Sequence, residues 1–89
     1  MSVVDTASIG QSPDVLAFDA GLRRLYVASE SGEVAVFAVG EHGAKRLGVA
    51  LLAPHAHTVA VDPRTHLVYF PLESGPNGRP ELLIMRPTT

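Results

Sequence analysis

His55 and His57 stand two residues apart in the stretch "LLAPHAHTVAVD". In an extended strand, residues i and i+2 point to the same side, so two imidazoles there can share a cation. A structural or catalytic metal site needs three or four protein ligands, and the spacing fixes no third. A loop pair of histidines with no metal role is the plainer reading, so no metal and no cofactor are assigned. The carboxylates that matter are Asp14, Glu30 and Glu73. Set beside an imidazole, they can hold a polar ligand or perform general acid–base work. That chemistry depends on whether the fold brings these five residues together.

The fold is written in a repeat. "AFDAGLRRLYVASESG" spans residues 17–32 and "AVDPRTHLVYFPLESG" spans residues 60–75, an offset of 43 residues. Over 13–32 against 56–75, six of twenty positions are identical: Ala17/Ala60, Asp19/Asp62, Tyr26/Tyr69, Glu30/Glu73, Ser31/Ser74 and Gly32/Gly75. Chance would give about one, and periods in this range mark repeat architectures. Apolar positions follow the same offset, with Leu16 on Val59, Phe18 on Val61, Leu25 on Val68 and Val27 on Phe70.

The runs "VLAFD", "RLYVAS", "EVAVFAV" and "RLGVALLA" are short and rich in Val, Leu, Phe and Tyr. They lack the i, i+3, i+4 pattern of helices and read as strands. They are apolar at successive positions, so both faces are expected to be covered. "DAGLR" and "DPRT" read as tight turns, and the recurring Asp19 and Asp62 as Asx-turn residues that accept backbone amides. "SESGE" reads as a hairpin containing glycine. Tyr26 and Tyr69 read as packing residues between repeats.

Four antiparallel strands in about 43 residues correspond to one blade of a β-propeller. Strands are expected near 14–19, 24–29, 33–39 and 46–52, then near 57–62, 67–71 and 81–86. "PNGRP" at 76–80 lengthens the second hairpin and is expected to be an exposed loop tip. The same offset lays 3–9 on 46–52, so residues 1–12 read as the outer strand of a preceding blade. Residues 13–55 then form one complete blade, and 56–89 an incomplete last one. In this geometry the loop before the inner strand and the second hairpin share a face. Asp14, Glu30, His55, His57 and Glu73 are thereby expected around one rim of a central channel. Glu30 and Glu73 also recur simply because the hairpin does, which favours a structural role for them.

Composition narrows the function. The chain has 89 residues, 46% hydrophobic and only 18% charged, with a formal net charge of −2 and no cysteine. So apolar a chain must bury its residues against something, which argues against disorder. The seven basic residues are scattered rather than gathered on a face, which argues against nucleic-acid binding. No apolar run approaches the ~20 residues of a membrane span, and the start "MSVVDTASIG" lacks signal-peptide features. No phosphate-binding glycine loop or nucleophile elbow is present.

"SPDVLAFDAGLRRLYVASESGEVAVF" and "HAHTVAVDPRTHLVYF" resemble the YncE-like family of bacterial β-propellers. The resemblance rests on the P-x-x-hydrophobic-A-hydrophobic-D start, the L-Y-V-A-S-E-S-G hairpin and the H-T-V-A-V-D-P turn, and it covers nearly the whole chain. It implies a parent of about seven blades, often exported, of which this chain would be the C-terminal portion. Ring closure in such proteins often has an N-terminal strand complete the last blade. The expected function is a structural and ligand- or protein-binding scaffold without self-contained catalysis. Its partners would be the rest of a propeller, or other copies of itself joined through edge strands. The alternative is a fragment of a metal-dependent propeller hydrolase or lactonase of the gluconolactonase type. That metal set uses Glu, Asn and Asp on different blades, and the only asparagine is Asn77.

Overall fold

Turn chemistry divides the chain. A computed structural model describes residues 1–52, 58–73 and 78–87. Within them every regular element is a strand: β1 (Pro13–Asp19), β2 (Arg24–Ser29), β3 (Glu33–Gly40), β4 (Gly43–Leu51), β5 (Ala60–Val61), β6 (Val68–Leu72) and β7 (Glu81–Met85). They form two antiparallel sheets, one ordered β1-β2-β3-β4 and the other β5-β6-β7. The all-β expectation holds, and β1, β2, β3, β6 and β7 lie where they are expected; β4, β5 and residues 3–9 differ. β4 begins at Gly43, because the turn at Glu41–His42 is tight enough to pair Gly40 with Gly43. β5 is only two residues long among the described residues.

The Asx-turns form as expected. Asp19 Oδ1 accepts the amides of Gly21 at 2.9 Å and Leu22 at 3.2 Å. Asp62 Oδ1 accepts the amide of Arg64 at 2.9 Å. Each turn ends on a left-handed residue, Arg23 (φ 55°) and His66 (φ 66°), at the same repeat position. A side chain in that region costs about 1–2 kcal/mol, so each turn needs compensation. Arg23 Nε donates to the Val39 carbonyl at 3.0 Å, and the Val39 amide donates back to the Arg23 carbonyl at 2.9 Å. The His66 amide donates to the Asp62 carbonyl at 2.7 Å.

The ladders extend the repeat past the insertion. Tyr26 pairs with Val36, and Tyr69 pairs with Ile84. "EVAVF" of β3 therefore corresponds to "ELLIM" of β7 once 76–80 are set aside. Of that insertion, Gly78, Arg79 and Pro80 are exposed, and Gly78 has φ 72°; Pro76 and Asn77 lie outside the described residues.

The two sheets pack face to face. Tyr26, Ala28 and Val34 of the first bury against Val59, Val68, Phe70 and Leu72 of the second sheet's repeat. β5 also approaches β1, so the first strands of the two sheets meet. Tyr26 is thus a packing residue between repeats, as its position implies. Burying ten hydrophobic side chains below a tenth exposure is the main stabilising term. A second buried group, Val27, Ala35 and Phe37, lies on the other face of the first sheet.

Residues 3–9 do not form a strand here. A strand needs a ladder partner, and the described residues offer none on that side. The segment nevertheless has a defined course. Asp5 Oδ2 accepts the Ala44 amide at 3.0 Å. Gly10 lies so close to Ser29 and Glu33 that an added Cβ would sit 2.8 Å from Ser29 Oγ. From Asp5 to Gly10 the chain therefore runs antiparallel to β3, the direction that β4 takes.

Candidate functional site

Two features gather polar chemistry among the described residues. The first joins the two sheets. Asp19 is fully buried at the end of β1, and its Oδ2 lies 2.7 Å from His66 Nδ1. Oδ1 is already engaged by the turn amides, so the two oxygens divide the work between turn and neighbouring sheet. Gly21 makes the approach possible: a Cβ there would sit 2.8 Å from His66 Cε1. Burial pushes the Asp19 carboxyl toward the neutral form. The His66 hydrogen bond, the Leu22 amide, the positive charge available on His66 and the Gly21 amide outweigh it. The net result is a carboxyl held below its ordinary value, an anion embedded at a sheet–sheet contact. The His66 side chain that meets this carboxylate is one-third exposed, so its far edge faces outward.

The second feature is a cleft of about 450 Å³ between the outer halves of the sheets. Val34, Val36, Val68, Phe70 and Met85 give it apolar walls, and Arg24 and Arg86 both line it. Met85 pairs with Val68, and Arg24 holds the position in the first sheet that Leu67 holds in the second. Both arginines therefore mark the same end of the cleft. The Tyr26 hydroxyl is buried there, with no well-formed hydrogen bond among the described residues but with the Arg24 side chain beside it. Burial pushes its phenol up, with Arg24 opposing the shift. β7 borders this cleft, and among the described residues it is paired on its β6 side only. Leu82, Ile84 and Met85 of β7 are exposed. The arrangement suits side chains delivered by a strand laid along β7.

The expected rim residues fall as follows. Asp14 is exposed in β1, and Glu30 is exposed immediately after β2, at the same end of the sheet, where Pro13 pairs with Ser29. The Glu30 amide donates to the Ser12 carbonyl at 3.0 Å, a structural use of that hairpin. Glu73 is exposed at the corresponding position after β6. His55 and His57 lie outside the described residues. Among the described residues no three His, Asp or Glu side chains cluster as a metal site.

The sequence marks Asp19 as a turn residue and does not single out His66. A signal is present: the 43-residue offset sets His66 on Arg23, the residue that closes the turn after Asp19. What the offset does not show is that the side chain crosses to the preceding sheet. No helix among the described residues is long and apolar enough to cross a membrane. The chain matches no family model, no curated protein and no solved structure.

Proposed function

We propose that this chain is a pair of β-propeller blades of YncE-like type that serves as a structural and binding scaffold. Its chemistry is recognition through sheet edges and not catalysis of its own. The observation that carries the reading is β7: an apolar strand paired on one side among the described residues, beside an open apolar cleft. Such an edge takes another strand, with main-chain hydrogen bonds giving affinity and the cleft taking alternate side chains. The strand is supplied by a further blade, either of a longer propeller or of a second copy.

The N-terminal segment supports the second source. Residues 3–9 align with β4 by the repeat offset, and Val3, Val4 and Ile9 are exposed. Their course over the first sheet follows the direction of an outer strand of a neighbouring blade. In one chain the segment lies on the first sheet while β7 belongs to the second, so pairing them within two blades would close too small a ring. Between copies the contact is head-to-tail and can close into a ring.

Light scattering on the purified chain tests this. The expected result is a concentration-dependent assembly, lost on deletion of residues 1–10 and on Ile84→Lys, which places a charge on the edge. A stable monomer at high concentration would overturn the reading, as would an assembly indifferent to both changes.

A further inference from the structure

The Asp19–His66 contact joins successive repeats, and its two halves recur at equivalent positions elsewhere in the chain. His66, which closes the second turn in the left-handed conformation, reaches back to the Asp that opened the turn of the preceding repeat. Asp62 opens the second turn and is built like Asp19: Oδ1 accepts a turn amide. Oδ2 differs. On Asp19 it holds His66, whereas on Asp62 it has no hydrogen bond among the described residues. Among those residues only Arg64 Nε stands near this carboxylate, 3.8 Å from Oδ1, on a side chain 88% exposed. In the first repeat, Arg23 closes the turn in the conformation of His66, and among the described residues no other repeat lies on that side for it to reach. It is exposed, and its side-chain hydrogen bond to Val39 uses Nε, leaving the two terminal nitrogens without a hydrogen bond among the described residues.

We infer that Asp62 is the docking site for Arg23 of a second copy, so that the second sheet of one chain accepts the first sheet of the next. The inference rests on the scaffold reading above and names the residue pair that orients its head-to-tail contact. Charge complementarity fixes the occupant: a carboxylate whose Oδ2 has no hydrogen bond among the described residues meets a guanidinium displayed from a left-handed residue like the imidazole that fills the equivalent site. A guanidinium is also the best partner for a carboxylate, offering several donors in one plane. The two surfaces differ in one respect. Gly21, which leaves room for His66, is replaced at the repeat position by Arg64. Its long exposed side chain must swing aside, and it competes for the same anion.

The test uses the full chain and two reversed charges. Asp62→Arg alone and Arg23→Asp alone should each remain dissociated at concentrations where the wild type assembles, because every contact then opposes like charges. An equimolar mixture should recover assembly. The arginine introduced in one variant then meets the aspartate introduced in the other, while the reverse contact is wild-type. Aspartate tolerates the left-handed region. Because Asp62→Arg removes a turn acceptor, Asp62→Asn serves as its check: it keeps Oδ1 and should weaken association at least tenfold. Arg64→Gly should strengthen it. If the wild type assembles and the variants assemble equally well, or the mixture recovers nothing, the pair is wrong and the scaffold reading stands. A wild type that stays monomeric at every concentration removes both.

Discussion

Replacing Asp19 and His66 by alanine, singly and together, measures what holds the two sheets in register. Asp19→Ala removes a carboxylate that accepts three hydrogen bonds and leaves two turn amides and one imidazole without their acceptor. Loss of one partner from a buried charged network costs about 3–5 kcal/mol. At ~4–8 °C per kcal/mol for a domain of this size, the melting temperature should fall by about 12 °C or more. His66→Ala removes one charge-assisted bond and should cost about 1.5–3 kcal/mol. It gains nothing from relief of strain, because alanine meets the same left-handed penalty as histidine. Urea titrations of the four proteins at pH 7 should give a coupling energy of about 1.5–3 kcal/mol. A coupling below about 0.5 kcal/mol, the usual error of additivity, would refute the link. Acid supplies a second readout. The Asp19 carboxyl is held below its ordinary 3.8, so its stabilisation is complete above that pH and is lost as pH falls through the lower folded value. The contribution of the Asp19 carboxylate to the difference between wild type and Asp19→Ala should therefore shrink as pH falls below about 4.

Three further outcomes follow from the same contacts. Gly21→Ala should place its Cβ against the imidazole, 2.8 Å from Cε1, and cost about 1–3 kcal/mol with a displaced His66 resonance in NMR; an unmoved resonance would contradict the close approach. Deleting 76–80 should restore the first repeat's hairpin length and change stability by less than about 1 kcal/mol, as circular dichroism melts would show; loss of the fold would mean that β7 has another register. Tyr26→Phe should change stability by less than about 1 kcal/mol, since the buried hydroxyl has no well-formed hydrogen bond to lose among the described residues and only the Arg24 side chain beside it; a larger cost in denaturant titrations would reveal a firm partner.

The sheets are legible in the sequence because their determinants are local. Strand identity follows from runs such as "RLYVAS", and the turns from Asp19 and Asp62, whose carboxylates cap amides two or three residues on. The offset of 43 residues then orders the strands without long-range information. The start of β4 is not legible, because Gly43, Ala44 and Lys45 carry little strand preference. They are drawn into the ladder by the tight turn at Glu41–His42 and by Asp5 on the Ala44 amide. The Asp19–His66 pair is hidden for a different reason. Repeat alignment compares a residue with its equivalent, whereas this contact joins a residue to a non-equivalent one in the next repeat, 47 residues away. The cleft is hidden likewise, since Arg24 and Arg86 stand on different sheets and share no sequence pattern.

The two repeats share their closing-turn conformation and their tyrosine ladder position but differ in chemistry, and neighbours make the difference. Tyr26 and Tyr69 occupy one repeat position, yet Tyr26 is buried and Tyr69 only half-buried. The second sheet covers the first tyrosine, and nothing among the described residues covers the second in the same way. Asp19 and Asp62 differ likewise, 0% against 30% exposed at the side chain. Val36 and Ile84 pair with those tyrosines, and Ile84 is 51% exposed while Val36 is half-buried. All three contrasts have the same sign: each group on the second sheet is less covered than its equivalent on the first. A solitary apolar residue on a surface needs no explanation, but a whole sheet face under-covered at matched positions does. What would restore the match is one more sheet, stacked on the second as the second is stacked on the first. A sheet so placed would bury Tyr69, Ile84 and Asp62 together, and a cation presented to Asp62, in place of the exposed Arg64, would offset the burial of its charge.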